Sequence, residues 1–134
     1  MRGGTANCSV TLSDEPIGSP VILNPGVLIA MNQPSFDGFL PKVKDGGLVI
    51  ADTTMIQDLA EREGVTVVPV PATQLAEETG LKGLANIVLL GKLFALKGFC
   101  EEESLIKAID KCVPAKRAYL AEKNKEALRL GMNA

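Results

Sequence analysis

Two short clusters in this sequence carry residue types that could do binding chemistry. Asn32, Gln33, Pro34 and Ser35 follow the apolar run 27–31, and Asp52, Thr53 and Thr54 follow the apolar run 47–51. Amides, hydroxyls and a carboxylate can hold a polar ligand, and open α/β sheets present such groups at the carboxyl ends of their strands. Each cluster also has a plainer role. Asp52, Thr53 and Thr54 are helix-capping types, and capping is the reading favoured for them. Residues 32–35 are the stronger candidate for a ligand or subunit contact, set beside a purely local role in shaping the turn.

The rest of the inventory speaks against self-contained catalysis. The chain has no histidine, which removes the commonest general base and the commonest metal ligand. No Cys-x-x-Cys, Walker loop, Gly-x-Gly-x-x-Gly or Gly-x-Ser-x-Gly occurs. The three cysteines are scattered, with no two closer than the 12 positions between Cys100 and Cys112. Cys8 and Cys112 fall on apolar faces and read as core thiols. Cys100 falls where a helix begins, a position that can lower a thiol pKa, but with Glu101, Glu102 and Glu103 beside it an unreactive thiol is expected. Arg2-Gly3-Gly4 reads as a flexible terminus rather than an RNA-binding element. No residue is assigned a catalytic, cofactor-binding or metal-ligating role.

A chain of 134 residues supports one domain and one core. Its 14 basic and 16 acidic residues leave a net charge of -2, which argues against a nucleic-acid surface. Apolar residues reach 46% and charged ones only 22%, a balance that suits a face buried against a partner. No apolar run approaches the roughly 18 residues of a membrane span; the longest apolar helix candidate is interrupted by Asn86 and Lys92. Sparse, unpaired cysteines and no apolar leader make a cytoplasmic protein the expectation.

These groups must be positioned by strands and helices whose signals alternate. Residues 6–13 alternate apolar and polar, the period of a half-buried strand, and 14–20 form a turn rich in proline and glycine. Runs 27–31, 47–51 and 65–70 are apolar on both faces, as in a parallel sheet covered above and below. Helices are expected between them at 34–40 and 55–63, the second capped by Asp52, Thr53 or Thr54. Four further helices are expected: 74–79, a buried one at 84–96 stopped by Gly98, an amphipathic one from Glu101 to Cys112, and a charged, peripheral one at 116–130. The alternation from 26 to 70 defines an α/β layer fold.

Several segments, taken in order, carry a resemblance. Residues 1–8 (Met-Arg-Gly-Gly-Thr-Ala-Asn-Cys), the turn 13–17 and above all 30–37 (Ala-Met-Asn-Gln-Pro-Ser-Phe-Asp) resemble the gamma subunit family of 2-oxoacid:ferredoxin oxidoreductases. Residues 40–47, 68–73 and 85–86 continue the match, so the resemblance covers nearly the whole chain. It implies a three-layer α/β/α fold with a parallel or mixed sheet and a helical C-terminal portion. It also implies a non-catalytic gamma subunit in a complex that oxidatively decarboxylates a 2-oxoacid to the acyl-CoA. Thiamine diphosphate and iron–sulfur clusters are then expected on partner subunits, with electrons passed through the complex to ferredoxin. The isolated chain is expected to be inactive, and Asn32, Gln33, Pro34 and Ser35 to shape the module or its contacts. Overall texture leans toward 2-oxoglutarate or pyruvate as the oxoacid.

Members of that family usually begin with a further strand and helix bearing a glycine-rich turn, which this sequence lacks. Residues 1–134 are therefore expected to be the C-terminal part of a gamma domain, marginally stable alone or homo-oligomeric when isolated. A second reading is a free-standing α/β module binding a nucleotide or small acid near Asn32 and Asp52. A third is an interaction protein outside any redox complex.

Overall fold

The computed structural model describes residues 7–19, 23–113 and 115–134. Three apolar runs pair as parallel strands, β1 (Val27–Ala30), β2 (Leu48–Asp52) and β3 (Thr66–Val70), in the spatial order β1-β2-β3. β2 lies in the middle and all five of its residues are buried, which explains a run apolar on both faces.

Successive side chains of β2 enter opposite layers. Leu48 and Ile50 join Val70 beneath α2 (Ala72–Glu78), α3 (Ala85–Lys97) and α5 (Tyr119–Met132), which contribute Ala76, Val88, Leu89 and Ala127. Val49 and Ala51 face α1 (Gln33–Phe39), the 3-10 turn Leu40–Lys42 and the connection 53–65, through Phe36, Leu40, Val43 and Ile56. The result is the expected three-layer α/β/α arrangement, with an all-parallel sheet among the described residues. α4 (Glu102–Cys112) packs outside α3 and α5 through Leu105, Ile109 and Leu128. No helix among the described residues is long and apolar enough to cross a membrane.

Several expectations are corrected. The helix expected at 55–63 does not form; after a turn at Asp52–Met55 the chain runs irregularly to β3. Side chains, rather than a helical ladder, tie this connection to its surroundings. Gln33 bonds the backbone at 57 and 58, and Arg62 donates to the carbonyls of Leu40 and Val43. Ile56 is buried but Ala60 is exposed, so the helical stripe that the spacing suggested does not exist.

The strand expected at 6–13 is also absent: residues 7–13 are exposed and unpaired with any strand, and Ala6 lies outside the described residues. A period of two makes a strand only where a neighbour supplies the ladder, and Cys8 is accordingly exposed rather than in the core. Cys112 is exposed too, because Leu105, Ile109 and Val113 at i, i+4 spacing take the inward face of α4.

The largest correction concerns α5, expected at the periphery. Ala127 and Leu128 are buried and α5 lies along α3 in backbone-level contact. A Cβ on Gly131 would collide with the Val88 carbonyl oxygen, and one on Gly91 with that of Leu128. Small residues made the helix look weakly amphipathic while allowing this close approach. Tyr119, at the start of α5, is exposed.

α4 is also held to α5 by charge. Lys125 lies 2.9 Å from Asp110 and 3.5 Å from Glu122. The hydrogen bond to Asp110, aided by the attraction of both carboxylates, raises the Lys125 pKa above its ordinary 10.5. A raised folded-state pKa adds stability that is fully present below 10.5 and is lost as pH climbs through the raised value. Urea unfolding from about pH 9 to about pH 12 should therefore show a decline above 10.5 that Lys125→Met reduces. An unchanged alkaline slope in the variant contradicts this coupling.

Candidate functional site

The carboxyl ends of β1 and β2 carry both clusters singled out in the sequence. Asn32 follows β1 and caps α1: its Oδ1 accepts the Ser35 amide at 2.9 Å, and its carbonyl accepts the Phe36 amide at 3.1 Å. Pro34 falls in the first turn, where its missing N–H costs nothing. Gln33 reaches across to the β2–β3 connection. Its Oε1 accepts the amides of Gln57 (3.1 Å) and Asp58 (3.0 Å), and its Nε2 donates to the Asp58 carbonyl (2.8 Å) and to Asp37 (2.9 Å). One side-chain amide thus replaces the hydrogen bonds a helix would have made there. Asn32 and Gln33 hold local structure, while Pro34 is exposed and Ser35 half-buried.

Gln33→Ala should release that clamp. Amide exchange at Gln57 and Asp58 should accelerate by at least about tenfold, with about 1 kcal/mol lost from global stability. Unchanged exchange at both amides would mean that the connection holds its shape without Gln33.

Asp52 is the fully buried carboxylate among the described residues. Its Oδ1 accepts the amides of Thr54 (3.1 Å) and Thr73 (3.3 Å), and its Oδ2 accepts the Thr73 hydroxyl at 2.5 Å. Thr54 Oγ1 accepts the Gln74 amide at 3.1 Å. The residue before α2 is Pro71, which has no capping side chain, so Asp52 and Thr54 cap α2 from the end of β2. The capping role read from sequence is real, but the helix capped begins 20 residues later, at Ala72. Thr73 is the member that sequence reasoning missed. Its only signal is a hydroxyl residue at the first turn of a helix behind an apolar strand.

Beside this knot a cleft of about 370 Å³ opens between the end of β1 and the first turns of α2 and α3. Met31, Thr73, Glu77, Ala85 and Asn86 line it. It sits where open α/β sheets receive ligands. Of its polar groups, the Thr73 hydroxyl is committed to Asp52. Met31, one of the lining residues, stands exposed at its rim.

No three cysteine, aspartate or glutamate side chains converge among the described residues. Cys8 and Cys112 are exposed on separate segments, and Cys100 is half-buried against the cluster that holds Phe94. That donor set, among the described residues, does not fit an iron–sulfur cluster or a metal ion.

An all-parallel three-layer α/β/α module, with polar groups at its strand ends engaged in holding the fold, is the class that the geometry defines. Residues 1–134 match the sequence profile of pyruvate ferredoxin/flavodoxin oxidoreductases, and the chain belongs to that family. Over 96 residues it is 43% identical to ketoisovalerate oxidoreductase subunit VorA of Methanothermobacter marburgensis, a match covering 72% of this chain and 20% of VorA. Over 115 residues it is 37% identical to 2-oxoglutarate synthase subunit KorC of Methanocaldococcus jannaschii, covering 84% of this chain and 62% of KorC. The chain therefore spans about a fifth of the first relative and less than two thirds of the second. Among solved structures it resembles the keto/oxoacid ferredoxin oxidoreductase gamma subunit of Geobacter sulfurreducens. That likeness has a TM-score of 0.71 at 26% identity and covers 81% of this chain and 62% of the other.

Proposed function

We propose that this chain acts as a non-catalytic gamma subunit, or gamma domain, of a cytoplasmic 2-oxoacid:ferredoxin oxidoreductase. The complex decarboxylates a 2-oxoacid, joins the acyl group to the thiol of coenzyme A, and delivers the two electrons released to ferredoxin. Thiamine diphosphate and iron–sulfur clusters reside on partner subunits, and this chain contributes a scaffold and contact surface. The observation that carries this reading is the family match across residues 1–134, joined to the likeness to the Geobacter gamma subunit. VorA is named for ketoisovalerate and KorC for 2-oxoglutarate, so the substrate class is the 2-oxoacids rather than one member of it.

The cleft beside Met31, Thr73 and Asn86 favours a second reading, a free-standing small-ligand or nucleotide-binding module. Calorimetric titration of the chain with 2-oxoglutarate, pyruvate, coenzyme A and ATP separates the two. The subunit reading expects no heat of binding at ligand concentrations up to about 1 mM, a standard free energy weaker than about -4 kcal/mol. Saturable micromolar binding of one of these, lost on Asn86→Asp, would transfer the function to the cleft.

A further inference from the structure

We infer that residues 55–63, which cross from β2 to β3, exchange between the irregular strap of this structure and a short helix. The inference rests on the geometry of the crossover and is independent of the proposed function.

A parallel crossover must return the chain to the level at which the next strand begins, and a helix usually does this. Thr66 stands level with Leu48 and Val70 with Asp52, so the return covers four residue steps, about 13 Å. A helix over 55–63 would span about 14 Å. Both ends already hold the geometry of helix boundaries. The Asp52 carbonyl accepts the amides of Met55 (3.1 Å) and Ile56 (2.9 Å), a first helical turn. Gly64 has a φ of 80°, the left-handed conformation that commonly follows the last helical residue. Between them Ile56, Leu59, Ala60 and Glu63 recur at helical spacing, with no glycine or proline in the segment.

What opposes the helix is tertiary. Gln33 Nε2 donates to the Asp58 carbonyl, the acceptor that the Arg62 amide would take in a helix. The Arg62 side chain reaches the carbonyls of Leu40 and Val43 and lies 3.5 Å from Asp45. On a helix Arg62 would fall off the stripe of Ile56, Leu59 and Ala60 and leave those carbonyls. Ile56 is buried and Leu59 packs against the same cluster, so this pair is the pivot common to both states. Ala60, exposed in the strap, would turn inward in the helix. Local preference and two side-chain anchors thus pull one segment in opposite directions, which sets two states close in free energy. A partner group that captured Gln33 or Arg62 would shift the balance toward the helix.

Relaxation-dispersion NMR on the isotopically labelled chain tests this. The expected result is a minor state of about 1% or more whose Cα shifts at 59–62 are helical. Gln33→Ala combined with Arg62→Ala should raise the helical population by at least about tenfold, moving the observed Cα shifts at 59–62 toward helical values. Adding Ala60→Gly to that pair should cut the helical population by about fivefold. A parent chain with no exchange at 59–62, or with a minor state of random-coil shifts, overturns the inference without any variant. So does a folded double variant whose shifts at 59–62 stay where they were or move toward random coil.

Discussion

Gly131→Ala should cost about 2–3 kcal/mol of stability, although alanine is the better helix former by about 1 kcal/mol. The two effects have opposite signs, and geometry decides between them. The added Cβ meets the carbonyl oxygen of Val88, a backbone atom that cannot swing aside as a side-chain end could. α5 must then move off α3, withdrawing Ala127 and Leu128 from the cores they share with Val88, Leu89, Leu105 and Ile109. Gly91→Ala should behave the same way against Leu128, and the double variant should cost less than the sum, because one displacement relieves both clashes. Gly38→Ala is the control: it lies in α1 with no atom within 4 Å of a Cβ, so there the propensity gain should appear. Urea unfolding of the four variants reads all of this. A Gly131→Ala chain as stable as the parent would show that α3 and α5 do not touch at their backbones.

Asp52→Ala should be the most damaging single change at the strand ends, by about 3 kcal/mol. It removes the acceptor for the amides of Thr54 and Thr73 and for the Thr73 hydroxyl, in a place with no solvent to replace it. It also strips α2 of a negative charge near its amino end, where the helix dipole favours one. Asp52→Asn keeps the shape and one acceptor, so it should retain the fold at a smaller cost, about 1–2 kcal/mol. Thr73→Val should lose only the hydroxyl bond and fall below both. Thermal unfolding ranks the three, and an order with Thr73→Val worst would contradict Asp52 as the centre of the knot.

The strands were legible because buried parallel strands need apolar residues on both faces, and β2 offers an unbroken run with every residue buried. α3 and α4 were legible from a glycine stop and a first turn of acids. The 55–63 helix was misread because its spacing is helical, whereas Gln33 and Arg62, more than 15 residues away from the backbone groups they bond, decide the outcome. α5 was misplaced because glycine and alanine contacts bring backbones together without an obvious apolar stripe. At the strand ends, residue types at 52–54 announced capping, but no local pattern could name α2 as the helix they cap. Residues 32–35 were read as shaping the module or its contacts, and in the structure Asn32 and Gln33 bond neighbouring backbone.

The most direct test of the central claim is a native pull-down with this chain as bait, assaying the eluate for reduction of a viologen dye. The account predicts co-purifying thiamine- and cluster-binding subunits and dye reduction that requires both a 2-oxoacid and coenzyme A. The oxoacid that works best then names the substrate. A chain recovered without such partners, under conditions where a longer gamma subunit retains them, would show that these residues alone do not assemble. Recovery of neither chain with partners or activity would contradict the subunit reading itself.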